Sequence, residues 1–300
     1  MRQAKDRMSE HTELLNGFSV DLEDWFQGLT STNKRPELWP GLESRVVEAT
    51  RELLAILRAH NVLATFFTLG HVADHHPQLV EEVAAAGHEI AVHGYWHRFV
   101  SRMTRDEFAA ELDLGMEALA RVTGKWPSGH RAPYFSINGT TPWAFEVLQS
   151  RGIRYDSSVF PTRNMLYGFP GAPRFPYQVP GVDLLEFPAT TARFGGRDWP
   201  VAGGFYVRAL PFEFVSRGVR QVNQLGQPAI LYVHPWELDT GQRYKQVTFR
   251  ERITHYYGRG GLQAKLENLF SEFRFGPLRD LPVSQATADP VDLGTTVVTV

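Results

Sequence analysis

The stretch that decides the fold is GHEIAVHGYWH, residues 87–97, which joins a short alternating run to two histidines. The run His88–Val92 alternates in the manner of a half-buried strand, and the helical apolar pattern of Gln78–Ala86 ends just before it. His93 and His97 follow the strand directly. Two histidines four positions apart can hold a metal ion, or they can be exposed residues of a solvated loop.

The alternation of helix and strand seen here repeats along the chain. Candidate strands are GFSVDLED, VLATFFTLG, HEIAVH, IRYDSS and AILYVHPWE, and candidate helices cover 43–60, 78–86, 105–122, 142–150, 211–225 and 262–273. This order predicts βα units, a parallel sheet and the α/β class. Residues 160–204 are rich in proline, glycine and aromatics, and we expect an irregular insertion with short strands there.

Four polar clusters lie directly after candidate strands or, for SGHRAPYF, in a segment that leads into a loop. They are Asp21 with Glu23 and Asp24, His93 with His97, Arg131 with Tyr134, and His234. In an α/β barrel the active site is built from the loops at the carboxyl ends of the strands. Residues far apart in the sequence are therefore predicted to meet at one mouth.

The composition limits the chemistry. The 300 residues are 43% hydrophobic and carry a net charge of −2, which suggests neither nucleic acid nor an anionic membrane as a partner. Cysteine is absent, so a metal site must use His, Asp and Glu. The amino-terminal residues lack the apolar core of a secretory signal, and no run approaches the ~20 apolar residues of a membrane span. The expected location is the cytoplasm.

Two histidines and a carboxylate would leave open positions on a divalent metal, as in catalytic zinc sites. Such a metal lowers the pKa of its bound water and polarises a carbonyl group. A second carboxylate could accept the proton of the water, and a further histidine could protonate the leaving group. The residues therefore suggest metal-assisted hydrolysis of an acyl bond.

The sequence also resembles a known family. ATFFTLG, GHEIAVHGYWH, RAPYF, ILYVHPWE and VDLEDW resemble, in the family's order, the motifs of polysaccharide deacetylases with NodB homology, carbohydrate esterase family four. SVDLEDWFQ and YDSSVFP most resemble the branch associated with exopolysaccharide export and exosortase systems, whose members carry a C-terminal extension. The resemblance covers roughly residues 17–240.

The resemblance implies a distorted (β/α)7-type barrel and a metal-dependent hydrolase that removes acetyl groups from N-acetylated sugars. His93 and His97 would be metal ligands, most simply of Zn²⁺, although Co²⁺, Ni²⁺, Mn²⁺ or Fe²⁺ would also suit the ligand set. His234 would be the general acid and Arg131 would orient the base. The backbone N–H of Tyr134 would help to hold the oxyanion.

The sequence departs from the family in its acidic motif. The family has two adjacent aspartates, a base and a metal ligand, whereas this chain has Asp21, Glu23 and Asp24. If Asp21 is the base, the ligand is Asp24 or Glu23; if the adjacent pair aligns instead, Glu23 is the base. We favour Asp21 as base and Asp24 as ligand. Asp156 is expected to tune His234.

The predicted organisation is an amino-terminal segment (1–16), a barrel (17–240), a C-terminal extension packed on it (241–283) and a flexible tail (284–300). The partner is expected to be an N-acetylated oligo- or polysaccharide, and aromatic residues in the extension could serve a homo-oligomer interface.

Two alternative functions stay open at this stage. One is a metal-independent hydrolase of a cyclic amide or ureide, with the insertion as a lid, and the other is a non-catalytic glycan-binding module. Glu237 is expected to be an ordinary loop acid.

Overall fold

The computed structural model describes residues 14–162 and 168–282. The strands are β1 (Asn16–Leu22), β2 (Thr65–Thr68), β3 (Glu89–Val92), β4 (Gly129–His130), β5 (Tyr155–Asp156), β6 (Tyr177–Gln178), β7 (Leu185–Glu186), β8 (Thr191–Phe194), β9 (Arg197–Pro200), β10 (Ile230–Val233) and β11 (Phe275–Gly276). The helices are α1 (Trp25–Gly28), α2 (Thr30–Asn33), α3 (Val46–Ala59), α4 (Gly70–His75), α5 (Pro77–Ala85), α6 (Arg105–Thr123), α7 (Trp143–Ser150), α8 (Gly204–Ala209), α9 (Phe212–Gln224), α10 (Phe249–Tyr256) and α11 (Leu262–Glu272).

The main sheet is parallel and curled. Its order is β10-β1-β2-β3-β4-β5-β7, and every neighbouring pair in this series runs in parallel. The strand β6 adds to β7 in the antiparallel direction, and β11 pairs with the start of β1. The two ends of the series meet after β7, where Thr190 donates its N–H to the carbonyl oxygen of Ile230. This confirms the distorted (β/α)7-type barrel.

The connecting helices have apolar faces that pack onto the barrel. In α3 the buried positions include Leu53, Ile56 and Leu57, which recur at helical spacing and join the core below β1 and β2. The longest helix, α6, begins with a capping box at Thr104 and ends at Gly124, whose φ of 69° lies in the left-handed region. The sequence predicted the start and end of this helix to within one residue.

The less regular parts fall where the sequence predicted irregularity. Residues 160–204, apart from 163–167, contain the short strands β6 and β7 and the hairpin β8–β9. The helix α10, in the expected C-terminal extension, was not predicted, and neither were the short helices α1, α2, α4 and α8. The tail 284–300 and most of the segment 1–16 lie outside the described residues. Within the described residues, no helix is both long and apolar enough to cross a membrane.

Candidate active site

Several of the predicted site residues converge at the carboxyl ends of the parallel strands. Asp21 lies near the end of β1, His93 directly follows β3, and His234 directly follows β10. All three line one cleft with a volume of about 810 Å³. Arg131 follows β4 and is fully buried beneath this cleft. Parallel strands present their carboxyl ends on one side of a barrel, so residues from distant positions meet here.

Glu23, His93 and His97 form a buried group whose candidate ligand atoms all lie within 4.8 Å of one another. Nε2 of His97 lies 2.7 Å from Oε2 of Glu23. Nδ1 of His93 lies 2.8 Å from the carbonyl oxygen of Arg131, so Nδ1 carries a proton and Nε2 is left for a metal. Two imidazoles and one carboxylate are a ligand set of catalytic zinc sites.

The surroundings of Glu23 test whether this group fits a metal. Trp236 donates its Nε1–H to Oε1 of Glu23 at 3.0 Å, while among the described residues the buried Oε2 meets only Nε2 of His97. The Asn33 side chain holds the other edge of His97, at 3.3 Å from Nδ1. A buried carboxylate oxygen in this position needs a protonated imidazole or a cation. The donor set therefore fits a divalent metal ion.

The pKa values agree with a ligand group. Burial raises the pKa of Glu23, but the charge and hydrogen bond of His97, with the charges of His234 and His93, outweigh it and lower the pKa to about 2. Burial lowers the pKa of His93 to about 4. At neutral pH these groups are a carboxylate and a neutral imidazole, the protonation states that metal binding requires.

Asp24, the favoured ligand in the sequence analysis, does not join this group. The strand β1 ends at Leu22, and Asp24 is the N-cap of α1, where its Oδ1 accepts the N–H of Trp25 at 2.9 Å. Its Oδ2 accepts the hydroxyl of Ser44 at 2.5 Å and the N–H of Arg45 at 3.1 Å. The N-cap geometry turns the carboxylate toward these donors, so the structure favours Glu23 over Asp24 as the third ligand.

Asp21 is held by Arg131. Nη1 of Arg131 donates to Oδ1 of Asp21 at 2.6 Å, and Nε and Nη2 donate to the carbonyl and hydroxyl oxygens of Ser157. The guanidinium also lies 4.2 Å from the ring centroid of Phe67. Oδ2 of Asp21 remains on the cleft side, 3.8 Å from Nε2 of His234. One oxygen of Asp21 is thus fixed while the other faces the site.

His234 is paired with Glu237, not with Asp156. Oε2 of Glu237 accepts the backbone N–H of His234 at 3.0 Å and lies 3.2 Å from its Nδ1. Nε of the buried Arg208 donates to Oε1 of Glu237 at 2.6 Å. A Cβ on Gly204 would lie 1.5 Å from Oε2 of Glu237, so only glycine allows this approach. The expectation that Glu237 is an ordinary loop acid was wrong, because its carboxylate is fully buried against the candidate acid.

The Glu237 pair also sets the charge of the histidine. Burial lowers the pKa of His234, but the hydrogen bond and charge of Glu237, with the charges of Glu23 and Asp21, outweigh it and raise the pKa to about 9. Burial raises the pKa of Glu237, but Arg208 and His234 bring it down to about 2. The pair is therefore an ion pair at neutral pH, with a proton available on the imidazole.

Asp156 belongs to a separate buried network. Its Oδ1 lies 2.7 Å from Nδ1 of His130 and accepts the hydroxyl of Ser158 at 2.7 Å. Glu186 is also buried here, and its Oε1 accepts the N–H of Val159 at 2.8 Å. Burial, and then the neighbouring Asp156, raise the pKa of Glu186 well above its usual range. Asp156 is thus a structural neighbour of the site with no contact to His234.

Glu186 gives a stability prediction. Because its pKa is higher in the folded than in the unfolded protein, its contribution to the free energy of unfolding is complete below about pH 4.5 and is lost as pH rises. Glu186→Gln keeps a neutral donor to Asp156 at every pH. The unfolding temperature of the wild type, followed by circular dichroism from acid to alkaline pH, should fall by a few degrees more than that of the variant. Parallel curves would contradict the raised pKa of Glu186.

Tyr134 lines the cleft in a strained conformation. Its φ of 57° and ψ of 23° place it in the left-handed region, which few residues other than glycine adopt. The ring stacks on Phe99 at 4.0 Å, and the hydroxyl donates to the carbonyl oxygen of Gln27 at 3.2 Å. These contacts anchor the side chain and offset the strain. The backbone role expected for Tyr134 as an oxyanion donor stays a prediction.

Fold and site together define a barrel with a buried Glu-His-His group at the carboxyl ends of its strands. The polysaccharide deacetylase family model matches residues 40–155, and a domain of unknown function, DUF3473, matches residues 157–282. Residues 40–155 are thus similar to the polysaccharide deacetylase family. The second match covers β6 to β11 and includes His234, so both matched regions contribute to one sheet and one cleft.

Two curated proteins and one solved structure show the same similarity. A peptidoglycan-N-acetylglucosamine deacetylase of Bacillus cereus is 30% identical over 151 residues, covering 46% of this chain and 54% of the relative. A peptidoglycan deacetylase of Helicobacter pylori is 28% identical over 150 residues, covering 49% of this chain and 50% of the relative. The chain thus spans about half the length of these curated relatives. A solved Mycobacterium smegmatis structure assigned to the polysaccharide deacetylases has the same fold, with a TM-score of 0.58, 24% identity and coverage of 87% and 85%.

Proposed function

We propose that this protein removes N-acetyl groups from a glycan or glycan precursor by metal-assisted hydrolysis of the amide bond. The observation that carries the proposal is the buried group of Glu23, His93 and His97 beside a carboxylate and a protonated histidine in one cleft. The related peptidoglycan deacetylases support the choice of an N-acetylated sugar as substrate.

Each residue has a defined task in this reaction. Glu23, His93 and His97 would hold a divalent ion, most simply Zn²⁺, which supplies Lewis-acid polarisation of the acyl oxygen and a water of lowered pKa. Asp21, fixed through Oδ1 by Arg131, accepts the proton of the attacking water at Oδ2. His234 donates the proton on Nε2 to the departing amine, and its Nδ1–H is held by Glu237.

The two alternatives have less support in the geometry. Among the described residues, none from 160–204 lines the cleft, so the described part of the insertion does not form the lid that a ureide hydrolase was expected to use. A glycan-binding module would need neither the Asp21–Arg131 pair nor the His234–Glu237 pair, both of which bury charge at a cost in stability. These buried pairs are explained by proton transfer.

The direct test is acetate release from short N-acetylglucosamine oligomers with added zinc or cobalt, followed by chelation. Metal-loaded protein should release acetate, and a chelator should stop the release, because the open positions on the metal activate the water. A His93→Ala/His97→Ala double variant is expected to be inactive, with Trp126→Ala, an exposed residue outside the cleft, as the matched control. Release that survives chelation would favour the metal-independent hydrolase, and metal-loaded protein that releases no acetate would contradict the proposal.

A further inference from the structure

The helix α10 places an apolar ridge beside the candidate site. Phe249, Ile253 and Tyr257 recur every four positions, so they lie on one face of the helix and its C-cap. Their exposed fractions are 77%, 41% and 60%, which is unusual for three neighbouring large apolar residues. Phe249 and Ile253 line the same cleft as Glu23 and His93. The ridge of Phe249, Ile253 and Tyr257 is therefore continuous with the place where the acetamide would be cleaved.

The opposite face of α10 is firmly attached to the barrel. Glu251 accepts the hydroxyl of Thr30 at 2.9 Å and the N–H of Ser31 at 2.8 Å. The ring of His255 stacks on Trp236 at a centroid distance of 4.0 Å, and Trp236 in turn stacks on His234 at 4.7 Å. The ridge is thus held in a fixed position relative to the candidate acid.

Arg208 links α10 to the candidate acid a second time. Its guanidinium donates to Glu237, to the carbonyl oxygen of Thr254 at 2.6 Å, and to the carbonyl oxygen of Tyr257. These carbonyls lie at the C-terminal end of α10, where helix carbonyls lack partners within the helix. One buried cation therefore fixes both the carboxylate that holds His234 and the end of the helix that carries the ridge.

We propose that this ridge is a sugar-binding subsite that holds further residues of an extended glycan next to the sugar being deacetylated. The inference rests on the proposed deacetylase function and assigns a role to the matched domain of unknown function. The C–H face of a sugar ring suits the electron-rich face of Phe249. Arg250 and Thr254, which also line the cleft, offer hydrogen bonds to hydroxyl groups. A cleft of about 810 Å³ lies near the upper end of the range for whole small ligands, so a single sugar would not fill it.

The test compares chain lengths. The kcat/KM for acetate release is measured on N-acetylglucosamine oligomers from the dimer to the hexamer, and the wild type is expected to prefer the longer chains. Phe249→Ala should lower the hexamer-to-dimer ratio by about tenfold, mainly through KM, because one aromatic stacking contact is lost. Phe249→Trp, which keeps an aromatic face, should restore the ratio, and Phe249→Leu should not. Trp126→Ala is the matched control, because Trp126 is 63% exposed and lies outside the cleft.

A binding measurement separates this inference from the proposed function. Calorimetric titration of the hexamer into an Asp21→Asn variant, with and without Phe249→Ala, reports binding without turnover. If acetate is released but Phe249→Ala leaves the length ratio unchanged, the subsite is refuted and the deacetylase function stands. If no oligomer is hydrolysed but hexamer binding weakens at least fivefold with Phe249→Ala, the subsite stands and the function fails. Absence of hexamer binding, or a dimer in sedimentation that Phe249→Ala dissociates, would overturn the subsite.

Discussion

Glu23→Gln is expected to abolish stoichiometric binding of zinc or cobalt and to reduce acetate release to the background level. The substitution keeps the shape of the side chain and the acceptor for Trp236 but removes the negative charge that faces His93 and His97. Losing an outer-shell partner of a metal ligand costs ~10–100-fold in metal affinity, so losing a ligand itself should cost more than ~100-fold. Calorimetric titration of the metal into apo-protein measures the effect directly.

The neighbouring carboxylate supplies the matched control. Asp24→Ala is expected to keep the metal stoichiometry and to lower stability by about 1 kcal/mol, because it removes the N-cap of α1. The two variants are therefore expected to have different defects. Glu23→Gln should lose metal binding, whereas Asp24→Ala should mainly lower the unfolding temperature. If Asp24→Ala released the metal while Glu23→Gln kept it, the ligand assignment would be reversed and the alignment of the acidic motif would need revision.

The ambiguity between Glu23 and Asp24 shows what sequence alone could resolve. The position of the acids directly after a candidate strand predicted that they would lie at the mouth, but the sequence could not say at which residue the strand ends. The pattern Asp24-x-x-Gln27 is a capping-box spacing, and the structure shows both of its hydrogen bonds. If this capping-box spacing had been given more weight, it would have placed Asp24 at the start of the helix. Glu23 would then have been the remaining candidate for the metal.

Other features depended on long-range contacts that no local pattern reports. His93, His97 and His234 were predictable because each closely follows a candidate strand whose carboxyl end must lie at the mouth, whereas Arg131 was found through the RAPYF motif. The pairing of Arg208 with Glu237 joins residues 29 positions apart and became visible only in the structure. The helix α10 did carry a readable start, the capping box of Thr248 and Glu251, but it spans only Phe249–Tyr256, too short for its apolar period to stand out.

Glu237→Gln is expected to lower kcat by ~10²–10⁴-fold while leaving metal binding intact, because it removes the negative charge that helps to keep His234 protonated as the general acid. The carboxylate of Glu237 accepts from Nδ1 and helps to raise the pKa of His234 to about 9, whereas a neutral glutamine supplies no charge that would hold the proton on the imidazole. Arg208 loses its charged partner in this variant, and removing one member of a buried ion pair can cost ~3–5 kcal/mol of stability. The comparison of kcat requires that the variant is still folded. Kinetics are therefore measured well below the unfolding temperature.

Asp156→Asn decides whether the effect of Glu237→Gln is specific. Asp156 is as deeply buried as Glu237 and is also bonded to a histidine, but that histidine is His130, which does not line the cleft. Asp156→Asn should lower the unfolding temperature and change kcat by less than ~10-fold, because no contact joins it to His234. The family resemblance suggested the opposite ranking, with Asp156 as the residue that tunes the acid. If Asp156→Asn lost more kcat than Glu237→Gln, with metal bound in both, the contact between Glu237 and His234 would be structural and the general acid would need another partner.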